Sequence, residues 1–430
     1  MDRGMHRWGI VLRAVLVSAL AVCAFPAVSA ELWYDQETGR SLSLNTALKL
    51  STLGSRTPDA RLLFPDAWTL TGLFRGRLML EAVHSDKVRS ELAYEHRARW
   101  DSSAGGGFSA GGGFLPSFAE APYRIEQLDW QIGAGSDYLY RHEMDRALVA
   151  LRPEWGDVTI GRQAIGLGRG VLFGAVDVFA PFSPVEVDRE WRRGVDAIRV
   201  DYRTSPTSSV EGIIVGGRDW DHSAVLGRAR GYMGNVDGEL ILGKRARDLM
   251  VAGTMSAIVG DAEVHAELAL FETPGDHPDG GLFGNDHLIP KAVLGTSYTF
   301  DIGNGLTVLG EYHYSGFGIE DVEDAARFLL DAGFQERYLR GDTQTLGRHA
   351  LGMQMTYPFN QAWSGTLIML VSPKDGSGLL SPVVNWDFSR TGSLRFIGYL
   401  PWGPAPDGIT LRSEYGATPI SLYAQLALYF

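Results

Sequence analysis

PISLYAQLALYF, residues 419–430, decides the fold. At a period of two, Ile420, Leu422, Ala424, Leu426, Leu428 and Phe430 share one face, and Ser421, Tyr423, Gln425 and Tyr429 share the other. This is a strand with one oily wall. In hydrocarbon each unpaired N–H or C=O costs several kcal/mol, so such a strand cannot remain an edge and has to pair with an earlier one, which closes the sheet.

A last strand of this kind ending on Phe430 resembles the C-terminal signal of bacterial outer-membrane β-barrels. That resemblance implies recognition by the barrel-assembly machinery and a setting of outer-membrane lipid and lipopolysaccharide. The other terminus reads as an export signal over residues 1–30. Arg3, Arg7 and Arg13 flank and enter the apolar run from Ile10 to Ala27, and Val28-Ser29-Ala30 offers the small residues of a cleavage site. Cys23, the only cysteine, lies inside that signal, so the remaining chain has no thiol chemistry and no lipid-anchoring cysteine.

Residues 31–430 read as one barrel domain. Mean hydropathy near zero, -0.05, fits a wall whose strands are half lipid-facing and half water-facing. A formal charge of -12 argues against nucleic acid as a partner. Positive charge is nearly all arginine, lysine being confined to positions 49, 87, 244, 291 and 374. Arginine keeps its charge and offers a planar fork of donors to oxyanions.

Thr69–Val83 puts Leu70, Phe74, Leu78 and Leu80 on one face, with Arg75, Arg77 and Glu81 on the other. The turn HSDK reverses the chain, and Val88–Asp101 turns Leu92, Tyr94, Ala98 and Trp100 outward and Arg89, Glu91, Glu95, Arg97 and Arg99 inward. Further strands are expected at 41–53, 140–152, 157–163, 194–203, 208–218, 224–234, 236–243, 247–258, 261–272, 289–301, 305–317, 346–357, 361–372, 377–389, 391–400 and 419–430. The fold class is therefore all-β, a transmembrane antiparallel barrel of about 18 strands, with 16 as the alternative. Tyr298, Phe300, Tyr357, Trp386 and Phe388 fall near strand ends as aromatic girdles. Residues 31–40 show no period and read as a lead-in. The glycine clusters Gly105–Gly107 and Gly111–Gly113 read as an outer loop. Residues 320–334, within the long outer loop 318–345, read as a short amphipathic helix.

Enzyme signatures are absent: there is no nucleophile elbow, no H-E-x-x-H and no phosphate loop. Glu263, His265, Glu267, Glu311 and His313 share inward faces and admit a metal or acid–base site, but a hydrated lumen wall explains them as well. Asp276, Asp279, Asn285 and Asp286 lack the spacing of a calcium loop. No catalytic residue, metal or cofactor is assigned.

Between Val158 and Val200 the sequence VTIGRQAIGLGRGVLFGAVDVFAPFSPVEVDREWRRGVDAIRV leaves the strand pattern. Val171, Leu172, Phe173, Val176, Val178 and Phe179 are too apolar for an outer loop, at roughly 25 cal/mol per Å² exposed, so residues 165–192 are expected to fold into the lumen and narrow it. With GRQ leading in and GVD leading out, the stretch resembles outer-membrane porin-like proteins and, more loosely, alginate-export-type barrels. That likeness implies an arginine-rich lumen and an anionic or sugar solute. The residues expected to line the pore are Arg75, Arg77, Arg89, Arg97, Arg99, Arg162, Arg169, Arg192, Arg193 and Arg199, with the arginines of the first two long strands facing the in-folded segment across the lumen. A channel for passive passage or export of small hydrophilic solutes is the reading these features favour. A barrel-borne lipase or protease, or a sheath for partner proteins, is the alternative, and cross-strand ion pairing could occupy the same arginines.

Overall fold

In a computed structural model, residues 30–102, 114–115, 121–274 and 287–430 are described. The expected export signal up to Ser29, both glycine clusters and the acidic residues between 276 and 286 lie outside them.

The described chain forms twenty strands: β1 (Ala30–Asp35), β2 (Arg40–Arg56), β3 (Trp68–Ser85), β4 (Val88–Asp101), β5 (Asp129–Ala134), β6 (Tyr138–Leu151), β7 (Gly156–Gln163), β8 (Val195–Ser205), β9 (Ser208–Gly216) and β10 (Ala224–Met233) come first. They are followed by β11 (Val236–Arg245), β12 (Asp248–Val259), β13 (Ala262–Glu272), β14 (Leu288–Phe300), β15 (Leu306–Ser315), β16 (His349–Pro358), β17 (Trp363–Val371), β18 (Gly378–Ser389), β19 (Gly392–Trp402) and β20 (Ile420–Tyr429). Setting aside β1 and β5, which extend the wall at its ends, the remaining eighteen form one antiparallel ring. Each of these coincides with a strand expected from alternation. The ring closes where β20 pairs β2, from Ile420 opposite Arg56 to Tyr429 opposite Ala47. Phe430 completes the seam by exchanging both backbone hydrogen bonds with Thr46, each 2.7 Å long.

Alternation sets the two faces. Ile214, Leu240, Leu268, Leu294 and Leu422 stand outward and are each at least half exposed, while Lys49, Arg77, Glu95, Glu267 and Gln425 point into the lumen and are buried there. One end of the barrel carries turns as short as 86–87, 206–207 and 234–235, and the other carries the long connections 102–128, 164–194, 316–348 and 403–419. Exposed rings mark both rims: Tyr202, Tyr298, Phe300 and Phe388 at the turn end, Trp68, Trp100, Tyr138 and Trp402 at the loop end. Trp363 and Trp386 stack at 5.1 Å in the first of these girdles.

Three local expectations change. The lead-in 31–40 contributes β1, which pairs β2 below the end of β20 and extends the same edge. β5 arises inside the outer loop and pairs β6 where β7 does not reach. The expected single helix is two, Ala325–Leu330 and Ala332–Arg340, because Asp331 turns extended and caps the second through Phe334 N–H; Gly341, at φ 83°, ends it. Ala325 and Phe334 pack with Phe64, Ile319 and Leu411 in a second apolar core, which ties the loops 57–67, 316–348 and 403–419 over the loop end.

Candidate pore constriction

β7 leaves the wall after Gln163, and the chain returns to it only at β8. In between it crosses the lumen. Leu167, Leu172, Phe173, Val176, Val178 and Phe179 are all buried there against inward residues of the wall such as Ile213, Ile241, Phe271, Leu309 and Tyr399. Burial is worth about 1.5–3 kcal/mol for each large side chain, which is why this stretch leaves water for the barrel interior.

A coil buried in this way has to satisfy its amides, because an orphaned N–H costs about as much as a lost hydrogen bond. Wall carboxylates do so. Glu267 on β13 accepts from the N–H groups of Arg169, Gly170 (2.7 Å), Ala175 (2.7 Å) and Val176 (3.2 Å). Glu311 on β15 accepts from Val171 (2.6 Å), Leu172 (2.9 Å) and Phe173 (2.9 Å), and Gln344 takes Gly174 (2.8 Å). Every amide from residue 169 to residue 176 is thus held by a side chain. His265 bridges Glu311 at 3.0 Å and Glu263 at 3.2 Å, and His313 stacks on Phe173 at 5.0 Å. The inward acids and histidines that admitted a metal or acid–base site therefore serve as a clamp for the segment. Among the described residues no group of three or more His, Cys, Asp or Glu side chains is placed to hold a metal ion.

The return leg lies along β2, β3 and β19. Asp188 takes Lys49 at 2.8 and 2.9 Å and Arg75 at 3.1 Å, and Glu190 takes Lys49 at 2.5 Å. Trp191 gathers three cations around its ring: Lys49 at 4.0 Å, Arg75 at 4.7 Å and Arg77 at 5.2 Å from the centroid. Tyr399 and Arg395 donate to the carbonyls of Val185 (3.0 Å) and Val187 (3.3 Å). The basic patch was expected to face the segment across the lumen. It touches it instead, because the segment brings its own carboxylates to the patch.

Beside the segment lies a cavity of about 120 Å³ bounded by Arg75 and Arg97 from the wall, Phe179, Phe182, Glu186, Trp191 and Arg193 from the segment, and Arg340 from the long loop. Arg340 pairs Asp342 at 2.7 Å, while Arg75, Arg97 and Arg193 belong to a separate network. Arg75 and Arg77 share Glu95 at 2.9 and 3.1 Å, Arg77 reaches Asp145 at 2.8 Å, and Arg97 reaches Glu143 at 2.6 Å. Arg124 bonds Glu143 at 2.9 Å, Arg146 bonds Asp145 at 2.6 Å, and Arg193 stands 3.6 Å from Glu143. Among the described residues this network joins Lys49, Arg75, Arg77, Arg97, Arg124, Arg146 and Arg193 to Glu95, Glu143, Asp145, Asp188 and Glu190. Burial pushes the Glu186 carboxyl at the cavity wall up to about 7. Asp188 is also raised by burial, but Lys49 and Arg75 outweigh that and hold it below its ordinary range.

The other expected arginines are elsewhere. Arg199 pairs Glu211 at 2.5 Å, and the pairing continues through Arg228 and Glu239 to Arg169 as a cross-strand ladder. Arg192 bonds Asp177, Arg99 bonds Asp101 at 2.8 Å, and Arg89 is exposed near the turn end of β4. Arg162 needs a correction. It shares the face of Ile160, and its partner Asp196 shares the face of Ile198, both outward. All its donors are engaged outside the lumen, by Asp196 (2.7 and 3.0 Å) and the carbonyls of Glu126, Gln127 (2.9 Å) and Met144 (2.9 Å). It seals the seam that β7 opens on leaving the wall. Sequence reading passed over Lys49, Arg124, Glu186, Asp188 and Trp191. Lys49 was open to detection, being the inward lysine of β2; the others sit on loops, where alternation says nothing.

No protein-family model and no curated protein matches the chain. Solved structures do. OccAB1 of Acinetobacter baumannii superposes with a TM-score of 0.55 at 10% identity, over 94% of this chain and 98% of that one. OccAB4 of the same organism gives 0.53 at 10% identity over 94% and 99%. OmpF of Salmonella typhi, in complex with daunomycin, gives 0.50 at 12% identity over 93% and 100%. What is shared is the fold. The chain has the closed barrel of the outer-membrane porins, with an apolar outer wall of the kind lipid requires.

Proposed function

We propose that the chain is an outer-membrane channel that passes small anionic solutes passively. The observation that carries this reading is the meeting of Arg75, Arg97 and Arg193 at a narrow cavity between the wall and the in-folded segment. Lumen charges at a constriction act at short range, whereas the acids that make the whole chain negative are screened over about 8–10 Å. A cavity of about 120 Å³ suits a small carboxylate or acidic sugar better than an anionic polymer, so the alginate-export likeness is not extended to a polysaccharide. Nothing in this reading calls for catalysis.

In planar bilayers a salt gradient should give a reversal potential of anionic sign. Changing Arg193, which lines the cavity 3.6 Å from Glu143, to Gln should move it toward zero. A cation-selective wild-type channel would show that the carboxylates govern the opening.

Selectivity should also depend on pH through Glu186. Its raised value favours the neutral acid in the folded state, so the stability it contributes is lost as pH rises through about 7, and its charge is lost as pH falls through the same point. Anion preference should therefore increase from about pH 8 to about pH 6, and Glu186→Gln should keep the low-pH preference throughout that range. An unaltered pH response in Glu186→Gln would assign the titration to another group.

A further inference from the structure

Two cavities flank the return leg of the in-folded segment, and they share Arg75 and Arg97. One is the constriction, with Trp191 on its wall; the other, of about 30 Å³, is lined by Lys49, Asp188, Tyr423 and Gln425. The second is lined by the Asp188 carboxylate, buried and gripped by Lys49 and Arg75. We infer that Asp188 is a tethered stand-in for the solute: the channel is closed at this contact by its own carboxylate, and an anionic solute opens it by taking the place of Asp188 on Lys49 and Arg75. This rests on the anion-channel reading and adds how the discrimination is made.

The physical reason is charge bookkeeping at a buried site. Separating Asp188 from its partners without replacement leaves two buried cations short of a carboxylate, the costly way to break such a pair. Exchanging one oxyanion for another keeps both cations matched as Asp188 turns toward the hydrated lumen, so the barrier is low only for a solute that carries its own oxyanion. The partners are held for such an exchange. Arg75 keeps a second bond to Glu95 at 2.9 Å, Lys49 keeps Glu190 at 2.5 Å, and Trp191 lies against both cations. Asp188 is on a coil outside the strand ladder, while Lys49 and Arg75 face each other on paired wall strands. Neutral solutes and cations have nothing to offer in return.

The test compares wild type, Asp188→Asn and Asp188→Glu in bilayers, in potassium chloride and in potassium acetate, after a heat-modifiability gel has shown each barrel assembled. Wild type and Asp188→Glu should favour acetate beyond its mobility in bulk water. Asp188→Asn should conduct severalfold more in both salts, with the acetate-to-chloride ratio falling to the bulk value, because the door no longer has to be exchanged open. Should Asp188→Asn fail to assemble, the double change Lys49→Met with Asp188→Leu removes the Lys49–Asp188 pair as a whole, leaves Arg75 on Glu95, and should show the same rise. An anion-selective wild type whose assembled Asp188→Asn variant keeps the wild-type conductance and ratio overturns the exchange alone. A cation-selective wild type overturns the anion-channel reading and the exchange with it.

Discussion

Replacing residues 165–192 with a short Gly-Ser linker should raise single-channel conductance severalfold while the barrel still assembles. A ring of 16–18 strands encloses an aqueous channel unless something fills it, and here the filling is this segment with its apolar core. The wall does not depend on it for pairing: β7 pairs β6 and β8 through its own residues, and the ring closes far away at β2 and β20. The excised stretch holds four carboxylates (Asp177, Glu186, Asp188, Glu190) and three arginines (Arg169, Arg189, Arg192), so the net charge changes by one only. A large rise would accordingly be steric. Glu267 and Glu311, relieved of the backbone amides they hold, would face water, and anion preference should weaken as conductance grows. An assembled variant with wild-type conductance would put the segment outside the permeation path.

The second large effect concerns stability. Arg162→Ala should lower the stability of the assembled barrel by about 3–5 kcal/mol, the range for breaking a buried ion pair by removing one partner. Asp196 would be left with only the Ile125 N–H, at 2.9 Å, and the carbonyls of Glu126, Gln127 and Met144 would lose their donor at a place where β7 no longer supplies a strand. Arg162→Lys should recover part of this and no more, since an ammonium has three donors and no planar fork to match the five engaged here. The measurements are the urea midpoint in detergent and the reversal potential. Loss of stability with unaltered selectivity is expected. Wild-type stability with altered selectivity would return Arg162 to the pore.

Alternation made the wall legible because it is a local property. In a lipid-facing strand every second residue has to be apolar, the rest face water, and the period can be counted along residues 69–83 or 419–430 without knowing the partner strand. The same parity could have placed Arg162 correctly, since Val158 and Ile160 share its face; grouping it with the arginines near the in-folded segment hid that. The departure of β7 from the wall was also legible, since apolar residues without period and with many glycines suit neither water nor a membrane strand. β1 and β5 were not, because six residues of mixed character become strands only when an edge is left unpaired beside them.

By itself, then, the sequence determined that the chain closes into a membrane barrel, which strands form it, and which stretch goes inside. Only the tertiary structure decided what the lumen charges do. Parity tells which way Arg75 or Lys49 points and cannot tell what it meets, and its partner Asp188 lies 139 residues from Lys49, on a coil whose path follows no period. Whether an inward arginine is a free cation or half of an ion pair depends on where that coil comes to rest. Its resting place is set by Glu267 and Glu311 holding its amides on the far side of the barrel, a contact between distant residues that no local pattern encodes.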